Sequence, residues 1–158
     1  MKPGRVRAIA IVIIHRSQDG GILVFEGHDP LKKETFYRPL GGTIEFGEHS
    51  RRTVERELRE EIGAEVVGLE YLATIENIFV YNGETGHEIV LIYTGDLADP
   101  ALYQRETMVG HEDNGVPFRV LWKGLGTFGP AVPLYPTGLL DLLNGPGSAG
   151  IPAGPVGS

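Results

Sequence analysis

Three glutamates, Glu57, Glu60 and Glu61, fall close together in the segment GGTIEFGEHSRRTVERELREEIGA, residues 41–64. At 3.6 residues per turn, positions three and four apart share a helix face, so the three carboxylates project within a stripe of about 100°. Like charges at that spacing repel and mildly destabilise a helix. A hard divalent cation reverses the penalty. An all-oxygen donor set completed by water suits Mg²⁺, with Mn²⁺ as the alternative, and such an ion would bridge carboxylates to the phosphate oxygens of a substrate. The plainer reading is a solvated charged helix knitted by the i,i+4 pairs Arg51–Glu55, Glu55–Arg59 and Arg56–Glu60. On the helix alone, that reading is the commoner one.

The spacing upstream tips the balance. The segment reads Gly42-x5-Glu48-x7-Arg56-Glu57-Leu58-x-Glu60-Glu61-x-Gly63-Ala64, which resembles the signature box of the Nudix hydrolase family. It departs in two places: Ala64 stands where a bulkier aliphatic residue is usual, and Leu40 where many members have proline before the glycine pair. The resemblance implies a Nudix-like α/β/α sandwich with a mixed sheet, an α/β (α+β) fold carrying a loop–helix–loop catalytic motif. It implies a Mg²⁺-dependent hydrolase that cleaves the diphosphate linkage of a nucleoside diphosphate derivative by water attack on phosphorus. Candidate substrates are nucleoside triphosphates, nucleotide sugars such as ADP-ribose, and dinucleoside polyphosphates. Glu57, Glu60 and Glu61 would bind the metal, and Glu57 or a neighbouring glutamate would orient or deprotonate the water. Arg56 would orient the glutamates by ion pairing. Glu48 would join the metal ligands or only brace the loop, the former being favoured.

Outside the box, the resemblance directs attention to a carboxylate on a loop ahead of the last main strand. Glu112, in Gly110-His111-Glu112-Asp113-Asn114-Gly115, occupies such a place, the alternative being an acidic surface loop. Glu88 is a weaker rival. Arg38, just before the Gly41-Gly42 bend, has the planar fork to take a substrate phosphate bidentately, with a surface ion pair as the alternative. Gly41 and Gly42 permit close approach of backbone to substrate. Lys32 and Lys33 would line an entrance or simply be solvated. Phe79 and Tyr81 would stack on a base or serve as core, and Trp122 reads as core. None of the five histidines has metal-ligand spacing.

These side chains need a scaffold. Ser50 is placed as the N-cap of the glutamate helix and Gly63 as its C-terminal stop. Val54, Leu58 and Ile62 at i, i+4 and i+8 give the helix one apolar face. The β-branched run Val6 to Ile14 predicts a buried strand, joined through Asp19-Gly20-Gly21 to a second over Ile22 to Phe25 as a hairpin. Short extended pieces are expected at Phe36 to Arg38 and Thr43 to Phe46. One or two strands should occupy Val66 to Tyr81, with a turn at Asn82-Gly83. Further strands are expected at Glu88 to Tyr93 and Phe118 to Trp122, the latter last. A short helix opening at Tyr135-Pro136-Thr137 should run to Leu143. One domain over residues 1–144 is followed by the Gly/Pro-rich tail 145–158, whose composition predicts disorder.

Composition narrows the classes of function. The chain has 158 residues and no cysteine, which excludes thiolate chemistry, disulfides and the cysteine-dependent diphosphate isomerases. A net charge of −7 disfavours nucleic acid as a partner. Its longest apolar run is far below the roughly 20 residues of a membrane helix. The expected partner is a small nucleotide diphosphate derivative, the expected setting cytoplasmic, and a homodimer is possible. A second class of function is a non-catalytic nucleotide-binding or regulatory Nudix module, which retention of every box glutamate disfavours.

Overall fold

In the computed structural model, residues 4–145 are described. The elements are β1 (Val6–Arg16), β2 (Gly21–Asp29), β3 (Glu34–Pro39), β4 (Gly41–Thr43), α1 (Ser50–Ile62), β5 (Val66–Tyr81), β6 (Glu84–Leu97), β7 (Thr107–His111), β8 (Pro117–Gly124) and α2 (Leu139–Leu143), with 3₁₀ turns at Pro100–Gln104 and Leu125–Thr127. The architecture is a mixed sheet with two helices, the α+β class expected. All pairings between these strands are antiparallel except β1 with β6, which run parallel from Val6↔His87 to Ile14↔Gly95.

The predicted β1–β2 hairpin pairs only beside its turn, at His15↔Ile22 and Arg16↔Gly21. Beyond those two pairs the strands part. β1 takes β6 and β4 as neighbours, while β2 takes β8 and β3. The sheet therefore splays into two four-stranded halves, β5-β6-β1-β4 and β3-β2-β8-β7, joined at the hairpin turn.

The uninterrupted apolar run of β1 follows from cover on both faces. Ala10, Val12 and Ile14 point into a core shared with Val54 and Leu58 of α1. Ile9, Ile11 and Ile13 point into a second core closed by Phe128, Leu134 and Leu139. Trp122 and the small Ala64 are buried in the α1-side core, as is Leu40. At Asn82-Gly83 both residues have positive φ, 51° and 79°, the conformation of a tight hairpin turn, and the whole Val66–Tyr81 segment forms one long strand with two register shifts.

Three local expectations are corrected. Ser50 is the first helical residue rather than the cap; His49 occupies the cap without a side-chain bond, and Ser50 Oγ instead pairs with Tyr93 Oη at 2.5 Å. The extended piece placed at Thr43 to Phe46 is a strand over Gly41–Thr43, because those three residues pair with Ile9–Ile11 of β1. The C-terminal helix begins at Leu139, not at Pro136, since Tyr37 binds Pro133 O and Tyr135 N binds Tyr37 O, holding that stretch extended beside β3. The strand expected last, Phe118 to Trp122, is β8 and is the last strand; it pairs with β7, which had not been expected, from Thr107↔Leu121 to His111↔Pro117. The predicted disordered tail lies, from residue 146, outside the described residues. Among the described residues, no helix is long and apolar enough to cross a membrane.

Candidate active site

Helix α1 ends as its sequence predicts. Gly63 adopts a left-handed conformation at φ 66°, and its N–H closes on Arg59 O at 3.0 Å. Val54 and Leu58 anchor the opposite face with no exposed surface. At about 25 cal/mol per Å² of apolar area, two such side chains hold the helix down by roughly 2–3 kcal/mol each. That anchorage sets which way the glutamates look.

Arg56 is the hub. Its Nε donates to Glu48 Oε2 at 2.8 Å and its Nη2 to Glu48 Oε1 at 3.0 Å, a two-pronged grip. Its Nη1 reaches Glu57 Oε2 at 3.0 Å and Glu60 Oε1 at 3.3 Å, and Nη2 also donates to Thr43 O. The box loop, its upstream glutamate and two helix glutamates are thus bound to one cation. Glu48 also accepts from Thr53 Oγ1 at 2.7 Å and Glu45 N at 3.2 Å. The Arg56 guanidinium and the Thr53 hydroxyl hold the Glu48 carboxyl down to about 2. Both Glu48 oxygens are engaged, so in this arrangement it braces the loop, and serving as a metal ligand would require it to release Arg56.

Glu61 has the opposite environment. Its Oε1 is shut off from solvent and has no hydrogen-bond partner. Desolvation first, then the negative charges of Glu57, Asp113 and Glu60, push its carboxyl up to about 9, while the Gly41 N–H works the other way. Burial also raises Glu57, against the pull of Arg56. Carboxyls crowded out of water and against one another are a site that a hard cation would relieve, and the donor set is all oxygen. An orphaned Oε1 beside them fits that ion. Among the described residues, no three acidic or imidazole side chains yet converge on one point as a ready-made cage.

The glycine pair is structural as well as close to the site. A Cβ on Gly41 would overlap the Ala10 carbonyl, and one on Gly42 would overlap the Glu57 carboxyl. Only glycine lets this strand run between β1 and the helix glutamates.

The β7–β8 hairpin brings acid toward the helix, but not through the residue singled out. Glu112 is exposed, its N–H and C=O spent on the turn with Val116 and Gly115. Its neighbour Asp113 is the one whose charge acts on Glu57 and Glu61. The sequence showed the acidic loop, and only the hairpin decides which carboxylate faces the helix.

Arg38 lies away from the glutamates, in a cavity of about 510 Å³ between the sheet halves that the box glutamates do not line. It pairs with Glu88 at 3.1 Å, an ion pair as the alternative had it but largely buried rather than at the surface. Phe79, Tyr81 and Lys32 line the same cavity, and neither aromatic belongs to a core cluster. Arg7 connects cavity and box: it donates to Thr43 Oγ1 at 2.6 Å and lies 3.7 Å from Glu88.

Comparison with known proteins agrees with this geometry. The NUDIX domain model matches residues 4–115. The fold is similar to that of the E. coli ORF135 protein (TM-score 0.53, 24% identity, covering 89% of this chain and 87% of that one). It is also similar to a MutT NUDIX hydrolase from Burkholderia pseudomallei (TM-score 0.53, 22% identity, 88% and 97% covered). A NUDIX hydrolase from Nitrosomonas europaea matches with TM-score 0.53 and 21% identity over 79% and 74% of the two chains. At these identities the structural likenesses speak to the fold, whereas the matched domain spans most of the sequence. The chain belongs to the NUDIX domain family.

Proposed function

We propose that the chain hydrolyses the diphosphate linkage of a nucleoside diphosphate derivative (a nucleoside triphosphate, a nucleotide sugar such as ADP-ribose, or a dinucleoside polyphosphate) in the cytoplasm, with Mg²⁺ as cofactor and Mn²⁺ as substitute. The observation that carries this reading is Glu61, whose orphaned Oε1 sits among like charges beside the Gly41-Gly42 strand. Glu57, Glu60 and Glu61 would hold the ion. Bound there, it supplies charge neutralisation to the phosphates and polarises phosphorus. The rest is done by the chain itself. Arg56 fixes Glu57 and Glu60 and keeps Glu48 against the loop. Glu57, raised by burial, is suited to accept the proton of the attacking water. A water oxygen bonds to phosphorus, the bridging P–O bond breaks, and two phosphorylated products leave.

The test is a nucleotide panel assayed with Mg²⁺, with chelator, and with Glu61→Gln. Phosphate-bearing products that vanish under chelation and in the variant support the reading. Turnover insensitive to both would refute it, and no turnover across the panel would favour a binding module.

A further inference from the structure

The two sheet halves part like the arms of a hinge. The pairs His15↔Ile22 and Arg16↔Gly21 join them, and Val12 N–H binds Leu40 O at 3.0 Å, which carries the joint to the middle of β1. From Val24 to Asp29, β2 then runs free of β1 for roughly 17 Å at about 3.3 Å per residue. The cavity lies between these arms. Because β6 runs parallel to β1, the β5–β6 turn sits at the same outer end as the β2–β3 turn.

There the two turns meet. Asp29 is 1% exposed and divides its oxygens between them. Its Oδ1 accepts the Leu31 N–H at 3.0 Å and the Lys32 N–H at 3.2 Å in its own turn, and its Oδ2 accepts the Asn82 N–H at 3.2 Å from the other. Tyr81 Oη donates to His28 O at 3.1 Å. Leu31 lies against Gly83, where a Cβ would come 2.8 Å from Leu31 Cδ1.

Apolar packing does not lock this junction. Leu31 is 67% exposed and Tyr81 39%, and neither belongs to a core cluster. Contacts of this kind open at far lower free energy than a buried strand. On an arm of about 17 Å, a rotation of about 7° moves the tip by about 2 Å, beyond the reach of both cross-links. Once open, Asp29 keeps the donors of its own turn and water replaces the Asn82 N–H, so no buried charge is stranded.

We propose that the two turns form a latch across the outer end of the cavity, pinned by Asp29, which opens as a unit while the rest of the sheet stays folded and so controls access to the cavity. The device is independent of which ligand the cavity takes. Asparagine cannot serve as the pin. Its one acceptor oxygen serves either turn, and its amide NH₂ then meets an N–H on the other side.

The chain has no cysteine, so an introduced thiol reports access without background. Asn77, 4% exposed on the cavity wall, and Val12, 1% exposed in the central strand, are the two reporter positions. Labelling of full-length Asn77→Cys and Val12→Cys by N-ethylmaleimide is timed by mass spectrometry across low urea concentrations, alone and combined with Asp29→Asn or Tyr81→Phe. Position 77 should label much faster than position 12 and with almost no urea dependence, because a latch exposes little surface when it opens. Asp29→Asn should speed it at least about tenfold and Tyr81→Phe about threefold, the scales of a charged and a neutral hydrogen bond. Labelling at position 77 that neither latch variant changes would mean a permanently open cavity. Labelling as slow as at position 12, with the same urea slope, would mean access by global unfolding alone. Either result would overturn the inference.

Discussion

Replacing Glu61 by glutamine should stabilise the metal-free protein while removing its metal site. An ordinary glutamate titrates near 4.5, and desolvation with its acidic neighbours raises Glu61 to about 9. A carboxyl raised on folding contributes stability that is complete below its unfolded pKa and is lost as pH rises through the folded one. Between pH 4.5 and pH 7 that loss amounts to about 2.5 pKa units, or on the order of 3 kcal/mol. Glutamine mimics the protonated carboxyl and does not titrate. The two proteins should therefore unfold alike near pH 4.5, and by pH 7 the variant should melt higher by roughly 6–12 °C for a chain of this size. The assay is chelator-treated thermal unfolding from pH 4.5 to 9, repeated with Mg²⁺. The ion should stabilise the native protein and not the variant, because binding to the folded state alone raises stability by mass action. Parallel pH curves, or a variant less stable at pH 7, would refute the desolvated-carboxylate account.

Arg56→Lys keeps the charge and loses the fork that grips Glu48, Glu57 and Glu60 together. It should cost about 1–3 kcal/mol by denaturant unfolding and lower turnover more than a distant surface change does. Gly42→Ala pushes a methyl into the Glu57 carboxyl; circular dichroism should stay near native while Mg²⁺-dependent turnover falls at least about tenfold. Asp113→Asn removes a charge that raises both Glu57 and Glu61, which lowers their folded pKa values, so the stability lost by the metal-free protein as pH rises should be smaller than in the native chain but larger than in Glu61→Gln, and Glu112→Gln should leave it unmoved. A pH-melting series on the three variants checks the order.

Much of the site was legible in the chain because its signals are local. The Gly42-to-Ala64 spacing depends on which residues follow one another, and Gly63 stops the helix by its own backbone freedom. Asn82-Gly83 turns β5 into β6 for the same reason. The apolar run at β1 announced a strand covered on both faces. What failed were features with competing partners. Ser50 could cap its helix by type, but Tyr93 claims its hydroxyl. Pro136 suits a helix start, but β3 holds its neighbours extended. β7 has a short, weakly patterned sequence and exists because β8 offers it a ladder.

The sequence by itself determined which carboxylates lie on one helix face, because a helical repeat converts spacing directly into direction. Only the tertiary structure decided what those carboxylates experience. Pairing with Arg56 holds Glu48, on the loop ahead of the helix, near 2, whereas desolvation lifts the helix's Glu61 to about 9, though both are glutamates of one motif. The hairpin selects Asp113 over Glu112, and the parting of β1 from β2 opens the cavity that holds Arg38 and Asn77. Desolvation and pairing depend on what packs against a side chain from distant parts of the chain, and that no run of neighbouring residues encodes.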